Sequence, residues 1–183
     1  MPTIITHALL PVIAATALPR LRLSKRLIAA AVVAAVLPDI DVVGRFLFDY
    51  SGTHPLGHRG FTHSIIFAVL IGLIAMLGFS ALRAPPSLAF TALLLSTLSH
   101  PLTDMLTNGG RGVMLLWPAS LEKLRWPLRP VEISPLGLRE FEDGRIWDVF
   151  ASELLWVILP ASVLALLCRR WSDRHIDSVR GET

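Results

Sequence analysis

The longest uncharged stretch of this chain constrains its fold more than any other feature. Residues 62–82 form 21 consecutive positions with no charged side chain after His63. The stretch begins inside the polar segment 58–64, which also holds His58 and Arg59. A helix of about 20 apolar residues can cross the ~30 Å hydrocarbon core of a membrane. The sequence therefore predicts a membrane-spanning helix whose entrance carries two histidines, although this pair taken alone is equally consistent with helix capping.

The composition indicates the same environment. Hydrophobic residues make up 53% of the 183 positions and charged residues only 17%, against about 25% charged residues in soluble domains. Mean hydropathy is +0.60. The net charge of +3 does not indicate a nucleic-acid partner, because the basic residues flank apolar runs and do not form a patch with aromatic residues. Cys168 is the only cysteine, which excludes an internal disulfide.

Four further apolar runs complete a predicted all-α membrane bundle of about five main helices. Runs 4–18 and 27–37 predict a short helical hairpin. Run 87–98 continues to Pro101, which we expect either to kink the helix or to begin a new one, and run 146–171 is interrupted by Pro160. Residues 108–146 mix prolines, tryptophans and charges, which predicts an irregular amphipathic cap. We interpret 1–183 as a single membrane-embedded domain.

An up-and-down arrangement of these helices separates two kinds of polar residue. Basic side chains such as Arg20, Arg83 and Arg169 flank one end of the bundle, and the positive-inside rule assigns that end to the cytoplasm. Histidines and most carboxylates fall at the other end. We therefore predict a multi-pass cytoplasmic-membrane protein whose ligand-rich end faces the periplasm or the exterior.

Paired spacings at this end are typical of metal ligands. His100 and Asp104 are four residues apart and share one face if the helix continues through them. His58 and His63 are five apart and converge only if a loop precedes the helix. Asp39 and Asp41 follow a proline, a geometry in which one carboxylate points to the site and the other binds a histidine or caps a helix.

Two more residues, His7 and Glu153, are predicted at the same end. Glu153 lies in an otherwise apolar run, where an unpaired carboxylate is costly, so we expect a cation beside it. The whole set exceeds what one tetrahedral zinc ion uses, which predicts two or three ions. Nitrogen and oxygen ligands without cysteine favour Zn²⁺, with Mn²⁺ or Fe²⁺ as alternatives.

A cluster of this kind suits phosphoester hydrolysis. Metal ions lower the pKa of bound water to about 7 and stabilise the attacking and leaving oxygens of a phosphoester. Asp39 or Asp41 is the candidate general base. Arg59 and Arg111 are candidates for holding an anionic substrate, and both are equally consistent with basic side chains that extend to a membrane surface.

Several ordered motifs carry a resemblance to a known family. They are Thr6-His7, Leu37-Pro38-Asp39-Ile40-Asp41, the segment 58–64, the segment 99–104, the segment 107–110 and Leu116-Trp117-Pro118. Together they resemble the bacterial membrane-bound, predicted metal-dependent hydrolases described as LexA-regulated, over nearly the whole chain. That resemblance implies an inner-membrane hydrolase.

The same motifs are distantly similar to zinc-dependent phospholipase C and to the single-strand nucleases of that fold. This second similarity implies three zinc ions held by His7, Asp39, His58, His63, His100, Asp104 and Glu153. The sequence departs from those enzymes at its start, because they use a mature N-terminal tryptophan as a ligand and this chain begins Met1-Pro2-Thr3. This difference concerns the third zinc ion, because the tryptophan ligand has no counterpart here.

We therefore expect a membrane-bound metal-dependent hydrolase that cleaves a phosphoester of a lipid or a lipid-linked molecule by metal-activated water. Two other hypotheses remain at this point, a small metal-ion transporter and a non-catalytic stress-response membrane protein. An ion path needs polar groups near mid-membrane. Segments 65–79 and 88–95 offer only Thr91 and glycines, which favours the hydrolase over the transporter.

Overall fold

The computed structural model describes residues 1–43, 54–134 and 145–181, apart from the side chains of Arg20 and of residues 174–181. Within these ranges the chain is all-α and contains no strand, as the sequence predicts. The helices are α1 (Ile4–Ala17), α2 (Lys25–Val36), α3 (Ile65–Leu77), α4 (Phe79–Leu82), α5 (Pro86–Asp104), α6 (Arg145–Glu153) and α7 (Leu159–Gly181). Short 3₁₀ turns cover Pro19–Leu21, Leu37–Ile40 and Phe61–His63.

Hydroxyl side chains cap the N-termini of three of the apolar helices. The amide of Thr6 donates to Thr3 Oγ1 (3.4 Å) at the start of α1, and the amide of Leu27 donates to Ser24 Oγ (3.0 Å) at the start of α2. Ser64 accepts from the amide of Phe67 (3.2 Å) at the start of α3. Each hydroxyl pairs one of the amides that the first helical turn leaves without a partner.

The predicted helix over 62–82 is divided into three pieces. A 3₁₀ turn ends at His63, the Ser64 cap starts α3, and Gly78 separates α3 from the single turn of α4. The 13 residues of α3 extend about 20 Å, so this helix is shorter than the ~30 Å span that the sequence led us to expect. The histidines thus lie in a turn before the helix and not within it.

Pro101 and Pro160, which interrupt the predicted helices, have different effects. Helix α5 continues through Pro101 to Asp104, so this proline neither ends the helix nor starts a new one. The hydroxyls of Ser99 and Thr103 donate to backbone carbonyls in the same stretch. The last helix is interrupted by a π-helical turn at Leu154–Ile158, just before Pro160. Proline has no amide hydrogen to donate, so the regular α-helical hydrogen bonds cannot continue unchanged at this point.

The helices pack closely because their contact faces carry small side chains. The central cluster of buried residues consists of Leu27, Ala31, Ala34, Ala75, Ala89 and Leu93, from α2, α3 and α5. A Cβ atom on Gly72 would lie 3.0 Å from the Phe90 ring and 3.1 Å from its carbonyl oxygen. Small residues at such contacts are typical of membrane helices, which associate by close packing. This packing brings the polar ends of α1, α2 and α5 together.

The outer surface of the bundle is apolar. Ile74, Leu77, Leu155 and Leu164 are between 58% and 80% exposed, together with many other large aliphatic side chains. Residues Arg145–Asp173 form a continuous helical stretch of 29 residues that is long and apolar enough to cross a membrane, and α1 and α3 are shorter apolar helices. A surface of this kind suits contact with lipid.

The cap is irregular, as predicted, in the part that the structure describes. Residues 105–134 form turns and two isolated bridges, Thr107 with Val131 and Val113 with Leu124. Val113, Met114 and Val131 are almost completely buried, so the cap packs against the polar end of the bundle. Residues 135–144 of the predicted cap, and 44–53 of the loop that precedes segment 58–64, lie outside the described residues.

Candidate metal centre

Three histidines and two aspartates meet at the polar end of the bundle. Helix α1 supplies His7, the turn after α2 supplies Asp39, the turn before α3 supplies His63, and α5 supplies His100 and Asp104. The three imidazoles and Asp104 are completely or almost completely buried. The His7 and His100 rings stack with centroids 3.7 Å apart, and the His63 ring meets His100 edge-on at 4.9 Å.

The buried polar atoms that face one another here lack hydrogen-bond partners among the described residues. They are His7 Nε2, His63 Nε2, His100 Nε2, Asp39 Oδ1, Asp104 Oδ1 and Asp104 Oδ2. Buried polar atoms in folded proteins are almost always paired, because leaving one unpaired costs about 1–3 kcal/mol. Six such atoms in one place therefore call for a common partner.

The distances between these atoms fit a metal ion. His100 Nε2 lies 3.3 Å from Asp39 Oδ1, and His7 Nε2 lies 3.6 Å from Asp104 Oδ1. His63 Nε2 lies 3.6 Å from Asp104 Oδ2 and 3.9 Å from Asp39 Oδ1. Ligands bonded at ~2.0–2.1 Å to a tetrahedral zinc ion are about 3.4 Å apart, so the observed separations are close to those of a ligand shell.

Each imidazole is oriented by a contact of its other nitrogen. His100 Nδ1 donates to the carbonyl oxygen of Ala35 (2.7 Å), which leaves an unprotonated lone pair on the neutral ring's Nε2. His7 Nδ1 lies 3.3 Å from Thr103 Oγ1, whose own proton can go to the carbonyl of Ser99 or His100. Metal-binding histidines are usually held by such contacts. All three Nε2 atoms can therefore face a cation.

Asp41 lies behind the cluster and binds the segment 58–64. Its Oδ1 contacts His58 Nδ1 (2.8 Å), and its Oδ2 accepts from the Arg59 amide (2.8 Å) and from Thr62 Oγ1 (2.8 Å). The same oxygen lies 3.1 Å from His63 Nδ1. The two aspartates thus have the two orientations that the sequence suggested, with Asp39 toward the imidazoles and Asp41 holding histidines from behind.

The charges at this point favour a cation. Burial lowers the pKa of His63, but the nearby carboxylates of Asp104 and Asp41 outweigh that effect and raise it to about 9. Burial raises the pKa of the Asp41 carboxyl, but hydrogen bonds from His58 and His63 hold it well below its usual range. Carboxylates that stabilise a proton on this ring also stabilise a metal ion beside it.

His58 and Glu153 differ in position from the five central residues. A third possible ligand group joins His58 to Asp39 and Asp41, at the more open side of the site. Glu153 is outside the three ligand groups that the described residues form. Its carboxylate accepts hydrogen bonds from the Thr3 amide and from the hydroxyls of Thr3 (2.7 Å) and Thr6 (2.6 Å). Hydrogen-bond donors at the start of α1 thus surround Glu153, and the Met1 α-amino group is near enough for its positive charge to interact with this carboxylate.

The two candidate substrate-binding arginines have unlike surroundings. Arg59 is only 4% exposed, and its Nε lies 3.0 Å from Asp104 Oδ2, an ion pair without hydrogen-bond alignment. Its terminal nitrogens donate to the carbonyl of Gly109 (3.4 Å) and to Thr107 Oγ1 (3.2 Å). The guanidinium is therefore directed inward, toward Asp104 and the cap. Arg111 is exposed beyond the Gly109–Gly110 turn.

Backbone geometry holds Arg59 in this place. Its φ of +63° is one that residues other than glycine seldom adopt, and its carbonyl accepts from the amide of Met114 in the cap (3.0 Å). Gly110 has a φ of +81°, and a Cβ atom there would lie 2.4 Å from Arg59 Nη1. Only glycine lets the turn pass this close to the guanidinium.

Four further polar residues of the site were not singled out from the sequence. Thr62 and Thr103 orient His63 and His7, and both lie within one helical turn of a histidine, which is the signal that could have identified them. The Lys123 ammonium donates to the carbonyl of His58 (2.8 Å). Burial and the charge of Arg59 lower the pKa of Lys123 to about 8. Thr3, one turn before His7, binds Glu153.

Comparison with known proteins shows which family the chain matches. The sequence profile described as YdjM inner membrane protein matches residues 1–176. Inner membrane protein YbcI of Escherichia coli (strain K12) is 38% identical over 165 residues, which cover 90% of this chain and 95% of that protein. Inner membrane protein YdjM of the same organism is 31% identical over 166 residues, 84% of this chain and 76% of the relative, as is YdjM of Shigella flexneri. No solved structure matches the chain.

Proposed function

Since this chain belongs to the YdjM inner membrane protein family, we propose that it is a multi-pass metal-dependent hydrolase with its metal centre at one surface of the bacterial inner membrane. The observation that carries the proposal is the set of six buried nitrogen and oxygen atoms without a hydrogen-bond partner, on His7, Asp39, His63, His100 and Asp104. A protein that never binds a cation gains nothing from burying such a set.

The ligand groups suggest how two ions would be shared. One group contains His7, Asp39 and His100, and another contains His63, His100 and Asp104. Because a single Nε2 binds one ion, we assign His100 to the first group, where Asp39 is 3.3 Å away. Asp104 presents Oδ1 toward His7 and Oδ2 toward His63, so it can serve both ions. Nitrogen and oxygen donors favour zinc, with Mn²⁺ or Fe²⁺ as alternatives.

The proposed reaction is hydrolysis of a phosphoester. When bound, the ions would supply Lewis acidity and lower the pKa of water to about 7. We assign proton acceptance to Asp39, because its side chain is 12% exposed and one oxygen faces the imidazoles, whereas the Asp41 oxygens already accept hydrogen bonds from segment 58–64. Arg59 holds Asp104 in position. The resemblance to zinc-dependent phospholipase C supports a phosphoester substrate.

The position of the centre supports a lipid or lipid-linked substrate. The ligands lie at the ends of apolar helices, where the phosphates of membrane lipids also lie. Arg83 caps the end of α4, and Arg169 and Arg170 follow the apolar part of α7, in each case at the end of the bundle away from the ligands, which supports a periplasmic or external centre by the positive-inside rule. Exposed Arg111 is the candidate for contact with an anionic headgroup.

The test is hydrolysis by the full chain purified in detergent. The protein is stripped with a chelator, reloaded with Zn²⁺ or Mn²⁺, and given a panel of phospholipids and soluble phosphodiesters. We expect metal-dependent release of a phosphorylated product, lost in Asp39→Asn and kept in Asp148→Asn, whose side chain is exposed. Equal turnover by the stripped and reloaded protein, or by Asp39→Asn, would reject the proposal.

A further inference from the structure

A cavity of about 500 Å³ lies between α1, α2, α5 and α7, in the apolar half of the bundle that the proposed function does not use. Its walls are almost entirely aliphatic and include Leu10, Ala14, Leu27, Ala92, Ala161 and Cys168. Its volume is within the range of small-molecule sites.

The cavity runs along the helices and ends beside the metal centre. On α5 its wall extends from Leu88 to Ser99, which is about 17 Å of helix, and Ser99 directly precedes His100. On α1 the wall includes Pro11, one turn after His7. One leaflet of a membrane has about 15 Å of hydrocarbon depth. The cavity is therefore as long as the hydrocarbon region of one leaflet.

The wall has only three hydroxyls, those of Thr91, Ser96 and Ser99, and two of them donate to backbone carbonyls. Thr91 Oγ1 donates to the carbonyl of Ser87 (2.9 Å), and Ser99 Oγ donates to the carbonyl of Ser96 (2.7 Å). A polar occupant would thus lose its water hydrogen bonds and gain few in return. Apart from these hydroxyls and the thiol of Cys168, the wall has no side chain that could bind an ion along a path through this part of the bundle.

The cavity is open to the surroundings on one side. Its lining residues Leu18, Leu95 and Leu164 are 46%, 58% and 62% exposed. An extended hydrocarbon chain is narrow enough to fit, and it can enter from the lipid at the open side.

We propose that this cavity, which we call the acyl groove, binds one hydrocarbon chain of a membrane phospholipid and places that lipid's phosphate toward the metal centre. The second half of this statement rests on the proposed function, whereas the binding of the chain does not. Binding along the helices would fix the depth of the headgroup and bring the phosphate to the level of His7 and His100.

The experiment measures lipid bound to the full chain by native mass spectrometry after exchange from dioleoyl phosphatidylglycerol into detergent. Ala14→Phe/Ala161→Phe fills the groove from α1 and α7, and Ala29→Phe, at an exposed alanine of α2 outside the groove, is the matched control. We expect the filled variant to retain about tenfold less lipid than the control, a difference of about 1.4 kcal/mol.

A cooperative thermal unfolding transition, measured on the same samples, is expected in both the filled variant and the control, which shows that the filled variant is folded. Equal lipid retention by these two proteins would overturn the proposal, and so would a polypeptide in place of the lipid in the wild-type complex. If lipid retention falls as expected but no phosphoester is cleaved by any metal-loaded form, the groove stands and the proposed function fails. If the groove and the proposed function are both correct, KM for the phospholipid rises in the filled variant, whereas KM for a soluble phosphodiester does not.

Discussion

The Nε2 atom of His100 lies 3.3 Å from Oδ1 of Asp39, although the two residues are 61 positions apart in the chain and neither atom makes a hydrogen bond within the described structure. Packing of α5 against α2 produces this contact, and the Ala35 carbonyl fixes the ring from the other side. The pair is thus held at a separation that suits two ligands of one metal ion.

Replacement of Asp104 by asparagine is expected to remove metal. The amide nitrogen of asparagine is a poor ligand, and the change removes the negative charge that faces both His7 and His63. We predict a loss of at least one metal equivalent per chain by inductively coupled plasma mass spectrometry. The control is Asp148→Asn, at an exposed aspartate, and metal content equal to that control would argue against Asp104 as a ligand.

Asp41→Asn is expected to weaken metal binding without abolishing it. This aspartate orients His58 and His63 and has no place in the two central ligand groups, and loss of such a partner typically costs 10–100-fold in metal affinity, which is the range we expect at about pH 7. Competition with a chromophoric chelator measures the change. Complete metal loss would instead identify Asp41 as a direct ligand.

Glu153→Gln separates the geometry of this site from the ligand set of the zinc-dependent phospholipases. The substitution places an NH₂ group opposite donors from Thr3 and Thr6, so we expect a loss of about 1–3 kcal/mol in the free energy of unfolding. Metal content is expected to stay at the wild-type level. Thermal unfolding and metal analysis of the same preparation test both parts, and loss of metal in a folded protein would restore Glu153 as a ligand.

Arg59→Met is expected to destabilise the metal-free protein more than the metal-loaded protein. Removing one partner of a buried ion pair leaves an uncompensated charge and costs about 3–5 kcal/mol, and here the charge left is that of Asp104. A bound metal ion would offset that charge, so the loss should shrink on reloading. Thermal unfolding with and without chelator measures this difference in stability. Arg111→Met, at an exposed arginine, is the control. An equal loss in both states would contradict the role of Arg59.

Lys123 gives the stability a pH dependence of known sign. Its pKa in the folded protein is lowered to about 8 from 10.5, so between these values the unfolded chain binds more protons than the folded one. Stability contributed by this group therefore rises with pH from about 8 to about 10.5. We expect Lys123→Met to flatten this rise in thermal unfolding, and exposed Lys25→Met to leave it unchanged. An unaltered slope in Lys123→Met would contradict the assignment.

Periodicity and composition sufficed for the all-α bundle, because apolar runs bounded by prolines and charges predict helices directly. They did not predict the breaks at Ser64 and Gly78, since the stretch 62–82 is uniformly apolar and the breaks depend on one hydroxyl cap and one glycine. The π turn before Pro160 likewise depends on how one missing amide is accommodated.

For the site, the types and spacings of residues were sufficient to bring His7, Asp39, His63, His100 and Asp104 to one end. The surroundings of Arg59 and Glu153 could not be predicted from the sequence. Each depends on partners that are far away in the chain, Asp104 for the arginine and Thr3 and Thr6 for the glutamate. Sequence spacing predicts which residues share a helix face. It does not predict which residues from distant parts of the chain will contact them.

X-ray absorption at the metal edge, with metal quantification on the same wild-type sample purified in detergent, tests the central claim most directly. The proposed function predicts about two zinc ions per chain in a shell of nitrogen and oxygen atoms at ~2.0–2.1 Å, with scattering from imidazole rings. A preparation that is folded but holds no stoichiometric transition metal after zinc loading, or one whose metal has a sulfur ligand at ~2.3 Å from Cys168, would contradict it.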